Sequence, residues 1–185
     1  MTMPSRPIAL VTGASSGIGA DLAREAAADG HDLILVARTE AALAALARAL
    51  ESGHGAKSII LAADLSRPGA ATDLFHRVEE TGLMIDALVN NAGFGSRGDL
   101  SEQDLSVIDG MIAVNVTATT DLARLFLPQM IARGRGRIMN VASTASFQPG
   151  PSMAVYCATK AYMRSFSLAL SEELKGTGVT VTALC

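Results

Sequence analysis

The sequence predicts an α/β fold: a doubly wound parallel sheet of six strands with helices on both faces. Two observations carry this. Short, unbroken apolar runs alternate with longer Ala- and Leu-rich stretches at helical spacing, and glycines stand where the helices should stop. A strand buried on both faces reads as a continuous apolar run, and strand–helix–strand repetition makes successive strands parallel, with right-handed crossovers. The strands fall at Ile8–Val11, Leu33–Val36, Ser58–Leu61, Ile85–Val89, Arg137–Val141 and Val179–Leu184. The helical stretches run roughly over Gly17–Asp29, Glu40–Glu51, Pro68–Thr81, Glu102–Arg133 and Val155–Lys175. Gly30, Gly53, Gly82, Gly134 and Gly176 read as their C-terminal stops. Ser101 with Asp104 reads as a capping box opening the fourth helix, and Pro128 is expected to kink or shorten it. Ser143–Met153 is the longest irregular stretch, and it follows a strand end, where ligands bind in such sheets.

These elements make one Rossmann-type domain over residues 1–185. At 49% apolar residues the chain is too hydrophobic to be disordered. A net charge of −3 gives no general attraction to nucleic acid or anionic lipid. The mean hydropathy of +0.32 hints at a membrane. However, the apolar runs are broken by Arg, Asp or Gly well short of the ~20 residues a spanning helix needs. Met1–Arg6 leads into only Ile8–Val11, too short for a signal-peptide core. Cys157 and Cys185 offer neither a disulfide framework nor metal spacing, which suits a cytoplasmic setting.

The first strand–helix turn is Thr12-Gly13-Ala14-Ser15-Ser16-Gly17-Ile18-Gly19. Its three glycines permit a tight turn and close backbone approach, and the helix start offers unpaired N–H groups to a pyrophosphate. The same residues match the hydrolase elbow G-x-S-x-G, but that elbow needs strands ahead of it, and none is there. A second glycine pattern, Gly93-Phe94-Gly95-Ser96-Arg97-Gly98, is a literal G-x-G-x-x-G. No helix starts at its third glycine, so it is a weak fingerprint.

Cofactor choice rests on the end of the second strand. A carboxylate there would hold ribose hydroxyls, whereas this chain has Ala37-Arg38-Thr39. Arg38 suits a 2′-phosphate, with Ser15 adding a hydroxyl, which favours NADP(H) over NAD(H). A merely solvated Arg38 is the alternative.

Tyr156 and Lys160 stand at i and i+4 on one helical face. A nearby ammonium stabilises phenolate and fits Tyr156 for proton exchange with a substrate oxygen. Ser143, at the end of strand five, is expected to face the same crevice. Alone, the Tyr/Lys pair also suits a helix surface.

Together these motifs resemble the short-chain dehydrogenase/reductase family. The resemblance is carried in order by Thr12–Gly19, Asp64, Asn90-Asn91-Ala92-Gly93, Asn115, Ser143 and Tyr156/Lys160. It implies an oxidoreductase moving a hydride between NADP(H) and a small carbonyl or alcohol, through a tetrad of Asn115, Ser143, Tyr156 and Lys160. Tyr156 would be the general acid/base and Ser143 would orient the carbonyl. Lys160 would bind the nicotinamide ribose, and Asn115 would hold a water through its backbone. Cofactor contacts would come from Gly13, Ser15, Ser16, Gly17, Ile18 and Gly19 in the turn. Arg38, Asp64 (at the adenine edge), Leu65, Asn91 (bracing the sheet), Ala92, Gly93, Tyr156 and Lys160 would add the rest. A homo-oligomer, dimer or tetramer, is implied through helices carrying Leu122, Leu125, Phe126, Met130, Phe166, Leu168 and Leu170. No metal, nucleic-acid or membrane partner is expected.

Phe94, Phe147, Gln148, Met153 and the Pro149–Pro151 turn are candidates for the substrate pocket, while Cys157 reads as packing. Arg133-Gly134-Arg135-Gly136-Arg137 reads as a helix end. Family members typically continue beyond strand six with a Pro-Gly turn, a substrate-binding segment and a last strand. The sequence stops at Cys185, so strand six is expected to be an apolar, uncovered edge. The rival expectation is a non-catalytic or impaired nucleotide-binding module.

Overall fold

The computed structural model describes residues 6–185; Met1–Ser5, which begin the leader reading, lie outside the described residues. The strands are β1 (Ile8–Thr12), β2 (Asp32–Ala37), β3 (Ser58–Ala62), β4 (Ala87–Asn90), β5 (Gly136–Val141) and β6 (Val179–Leu184). The helices are α1 (Gly17–Ala28), α2 (Glu40–His54), α3 (Ala70–Glu79), α4 (Leu105–Ile112), α5 (Thr119–Ala132) and α6 (Ala154–Glu173). All strand pairs are parallel, in the order β3-β2-β1-β4-β5-β6. The order reverses between β1 and β4, and a crevice opens there at the strands' C-terminal ends.

Each apolar run serves two cores. Leu10, Ile34, Leu88 and Ile138 point to the face covered by α3, α5 and α6, whereas Val11, Leu33, Leu35 and Val89 point to the face covered by α1 and α2. Strand alternation accounts for this split. Register aligns Ile59, Ile34, Leu10, Leu88, Ile138 and Val181 in one apolar row across all six strands. Over that row lie Leu74, Leu122, Phe126 and Leu170. The opposite layer uses Ala20, Ala23 and Ala27 of α1, whose small side chains let that helix sit close to the sheet. Among the described residues, no helix is long and apolar enough to cross a membrane.

Several local expectations are corrected. The fourth helical stretch is three pieces: α4, a π-helical segment Ala113–Ala118, and α5. Asp104, not Ser101, caps α4, accepting the Ser106 N–H at 2.8 Å. Asp104 stands just before the helix, where an Asp is an effective cap. Helix α5 runs through Pro128, which lies on its exposed side. The stop for α2 is Gly55, in the left-handed region at φ 64°, while Gly53 lies inside the helix. Thr144–Phe147 forms a 3₁₀ turn within the expected irregular stretch.

β6 is the sheet edge, but its exposed positions are Thr180, Thr182 and Leu184, two of them polar. Leu122, Phe126, Met130 and Leu170 are consumed by the core, which leaves Leu168 as the exposed member of the expected oligomer set. Arg133–Arg137 does form a helix end: Gly134 takes φ 66° and the Arg133 guanidinium donates to the Ile85 carbonyl.

Phe126 is fully buried and meets Phe75 edge-on at 5.1 Å between ring centroids. Phe126→Ala is expected to lower unfolding free energy by about 3–5 kcal/mol, measured by urea titration at unchanged fold.

Candidate active site

The β1–α1 turn is shaped by what its glycines exclude. Gly13 has φ 68°, and a Cβ there would stand 2.7 Å from Asn91 Nδ2. A Cβ on Gly19 would collide with the Gly13 carbonyl and Asn91 Nδ2. Ser16 begins α1 without a side-chain cap, and the first turn holds no acidic residue. The helix start therefore keeps its unpaired N–H groups and positive end. Asn91 straps the turn to β4, donating from Nδ2 to the Thr12 carbonyl at 2.9 Å. Thr12 Oγ1 accepts the Asn91 and Ala92 N–H groups, each at 3.0 Å.

A cavity of about 900 Å³ runs from this turn across the strand ends to α6. It is bordered by Gly13, Ser15, Ser16, Ile18, Gly19, Arg38, Asp64, Leu65, Asn91, Ala92, Gly93, Tyr156 and Lys160. Gly17, Asn115 and Ser143 are not among its bordering residues. Gly17 takes φ 54°, in the left-handed region glycine favours. Arg38 is exposed beside the cavity and has no ion pair within 4.0 Å among the described residues. Asp64 Oδ1 accepts from Ser66 Oγ at 2.8 Å and from Ser66 N–H at 3.1 Å, which holds its pKa below the usual carboxylate value.

At the other end, α6 presents Tyr156 and Lys160. Lys160 is 5% exposed, its Nζ donating to the Val141 carbonyl at 2.7 Å and lying 3.7 Å from Met163 Sδ. Burial pushes its pKa from 10.5 down to about 8. Nζ stands 5.9 Å from the Tyr156 ring centroid. Asn115 lies in the π-helical segment and is fully buried. Its side chain accepts the Phe94 N–H at 3.1 Å, and its Nδ2 donates to the Phe94 carbonyl at 2.9 Å and to Thr159 Oγ1 at 3.0 Å. Ser143 lies two residues beyond β5, and its Oγ accepts the Ala145 N–H at 3.1 Å.

Beneath these residues runs a buried polar ladder. Asn90 Nδ2 donates to Asn140 Oδ1, Asn140 Nδ2 donates to Ser167 Oγ, both at 2.9 Å, and Ser167 Oγ donates to the Met163 carbonyl at 2.6 Å. Asn90 and Asn140 are direct cross-strand neighbours. The ladder ties β4 and β5 to the helix that carries Tyr156 and Lys160.

Of the expected pocket residues, Phe94 and Met153 border the cavity, while Phe147, Gln148 and Pro149–Pro151 do not. Phe147 instead lies under the Arg164 guanidinium, 4.5 Å from ring centroid to Cζ, because the 3₁₀ turn carries it outward. The sequence reading missed Gly95, Ser96 and Arg97, which border the cavity. Their signal was the second glycine pattern, which makes no helix start but lets backbone pass close to Tyr156. A Cβ on Gly95 would stand 2.8 Å from the ring's Cδ2.

The sequence matches the short chain dehydrogenase family over residues 7–185. It is 34% identical over 185 residues to the ketoacyl reductase HetN of Nostoc sp., covering 100% of this chain and 64% of that protein. It is 34% identical over 182 residues to the very-long-chain 3-oxoacyl-CoA reductase-B of Danio rerio, covering 95% of this chain and 57% of that one. The chain thus spans less than two thirds of the length of both relatives. A solved short-chain dehydrogenase from Sphingobium yanoikuyae, in complex with NADPH, superposes with a TM-score of 0.90 at 41% identity. That match covers 96% of this chain and 69% of the solved one.

The buried ammonium has a stability signature. Below pH 8 both folded and unfolded states carry the proton, and the folded state bears the whole desolvation cost. Between about 8 and 10.5 the unfolded state holds more protons, so stability should rise with pH. Relative to Lys160→Met, which lacks this titration, the wild-type chain should gain on the order of 3 kcal/mol across that window. Parallel unfolding curves for the two proteins from neutral pH upward would show that Lys160 is not held at such a cost.

Proposed function

The chain belongs to the short chain dehydrogenase family, and from that premise we propose that it transfers a hydride between NADP(H) and a carbonyl/alcohol substrate. The observation that carries the proposal is the pairing of Tyr156 and the buried Lys160 at one end of a crevice whose other end is a glycine cradle. Kinship with ketoacyl and 3-oxoacyl-CoA reductases supports the carbonyl side of that pair. The NADPH-bound neighbour supports the cofactor.

The residues present fit such a cofactor. The Gly13 and Gly19 positions leave no room for a Cβ, and the uncapped start of α1 offers N–H groups to a pyrophosphate. Ser15, Ser16, Gly17 and Ile18 complete that cradle. Arg38, without an ion-pair partner among the described residues, is suited to a 2′-phosphate. Asp64 and Leu65 would meet the adenine, and Asn91, Ala92, Gly93, Tyr156 and Lys160 the nicotinamide half. When bound, the nicotinamide supplies or accepts the hydride.

The chain's own groups handle the proton. Tyr156 gives its hydroxyl proton to the carbonyl oxygen in reduction and takes one from the alcohol in oxidation. The Lys160 ammonium stands 5.9 Å from the Tyr156 ring centroid, and the Val141 carbonyl fixes it in place. Ser143 Oγ accepts from Ala145, which leaves its own proton to donate to the substrate oxygen. Asn115 positions the wall by gripping Phe94 at both backbone polar groups.

The same proposal has residues 1–185 forming one nucleotide-binding domain, cytoplasmic and homo-oligomeric. The outer face of α4 and α6 supports association, with Ile112 41% and Leu168 52% exposed.

Tyr156→Phe should retain NADPH affinity by fluorescence titration and lose carbonyl reduction by at least about 100-fold. Substantial residual turnover would remove Tyr156 as the acid. Arg38→Ala should lower the ratio of NADPH to NADH affinity by about tenfold or more at low salt. An unchanged ratio would reject the 2′-phosphate role.

A further inference from the structure

The loop Gly93–Gly98 is fastened at two points. Asn115 grips Phe94 through its backbone N–H and carbonyl at 3.1 and 2.9 Å. At the other end the Gly98 N–H donates to the Ser152 carbonyl at 2.8 Å, and Gln103 Nε2 donates to the Gly98 carbonyl at 2.6 Å. Between the clamps, Gly95 lies against the Tyr156 ring. Gly95, Ser96 and Arg97 are therefore held along the crevice edge on the side of Tyr156 and Met153.

Arg97 is exposed, and among the described residues it has no side-chain hydrogen bond, ion pair or aromatic partner. The charged residues bordering the crevice are Arg38, Asp64, Arg97 and Lys160, three cations and one anion, in a chain of net charge −3. Arg38 and Asp64 stand where β2 and β3 end, and Lys160 is held by Val141. Arg97 lies between Gly95, which faces the Tyr156 ring, and Gly98, which is bonded to Ser152, and so stands on the reacting side. Phe94, Val107 and Met153 add apolar surface to the same crevice.

The geometry points to a substrate whose reacting carbonyl or alcohol is joined by an apolar body to an anionic group, carboxylate or phosphate, held by Arg97. This rests on the oxidoreductase reading and extends it to the substrate's far end. A guanidinium fork matches both anions, and the clamped backbone lowers the cost of ordering it. Partial exposure limits the gain to about tenfold at low salt.

The test takes the 185-residue chain with NADPH and methyl ketones bearing a terminal carboxylate at increasing distance, each beside its methyl ester. Methyl ketones bearing a terminal alkyl phosphate, each beside the corresponding alcohol, separate phosphate from carboxylate. At one spacing the charged member of a pair should show kcat/KM about tenfold higher, an advantage that shrinks with added salt. Arg97→Gln should abolish that ratio, and Arg97→Lys should keep part of it. Equal use of both members by the wild-type chain, or a preference surviving Arg97→Gln, overturns the inference. Calorimetry of the same pairs against the NADPH-loaded chain separates the two claims. Charge-selective binding that Arg97→Gln loses, without turnover, sustains the Arg97 site and sinks the oxidoreductase reading. Binding without charge selectivity sinks the Arg97 site.

Discussion

The structure is organised around a buried ammonium that has no ion pair with a carboxylate among the described residues. Lys160 is 5% exposed, and its polar contacts are one backbone carbonyl and one thioether. Burial alone depresses its pKa, with no charged neighbour contributing. Such a group is costly unless its surroundings are fixed, because an ammonium moved from its acceptor loses its compensation. The sheet and α6 must therefore meet in one register. The Asn90–Asn140–Ser167 ladder supplies that register, the Asn90 amide donating to Asn140 Oδ1 and the Asn140 amide donating to Ser167 Oγ. Its last bond returns to the backbone of Met163, whose sulfur touches Lys160. Packing alone would tolerate a small axial slide of α6; these hydrogen bonds do not.

The crevice follows from the topology. Strand order reverses between β1 and β4, so the connections leaving these neighbours run to opposite faces. Thr12, ending β1, and Asn91, just past β4, bridge that opening from beneath. Their bonds draw the glycine turn and the Asn91–Gly93 segment together, which is why neither Gly13 nor Gly19 can carry a Cβ. The side chains facing the cavity thus stand on rigid strand ends and clamped loops.

Legibility in the sequence tracked locality. The strands were readable because strands covered on both faces must be continuously apolar, and the glycine turn because its backbone excludes side chains. Tyr156 and Lys160 were readable as a spacing. Gly53 was mistaken for the stop of α2 because composition cannot say which of two nearby glycines takes the left-handed conformation. Ser101 was mistaken for the cap of α4 because its rival, Asp104, is an equally good capping residue. The outward turn of Phe147 was hidden because a 3₁₀ turn leaves no apolar period. Arg97 was passed over because its setting depends on two clamps from distant residues, Asn115 and Ser152.

The π-helical segment was the feature most remote from any local signal, and its neighbours explain its persistence. A run of i→i+5 bonds is a poorer arrangement than an α-helix and survives where tertiary contacts favour it. Here the contacts are specific. Asn115, inside the segment, reaches both polar groups of Phe94 and the hydroxyl of Thr159 one turn of α6 from Tyr156. Thr120 Oγ1 donates to the Val116 carbonyl at 2.8 Å, which also accepts the Thr119 N–H at the end of the segment. Rewinding the segment into α-helix would rotate Asn115 by a fraction of a turn and break three hydrogen bonds at once. The irregularity is therefore the solution that lets one helix support the crevice loop on one side and α6 on the other.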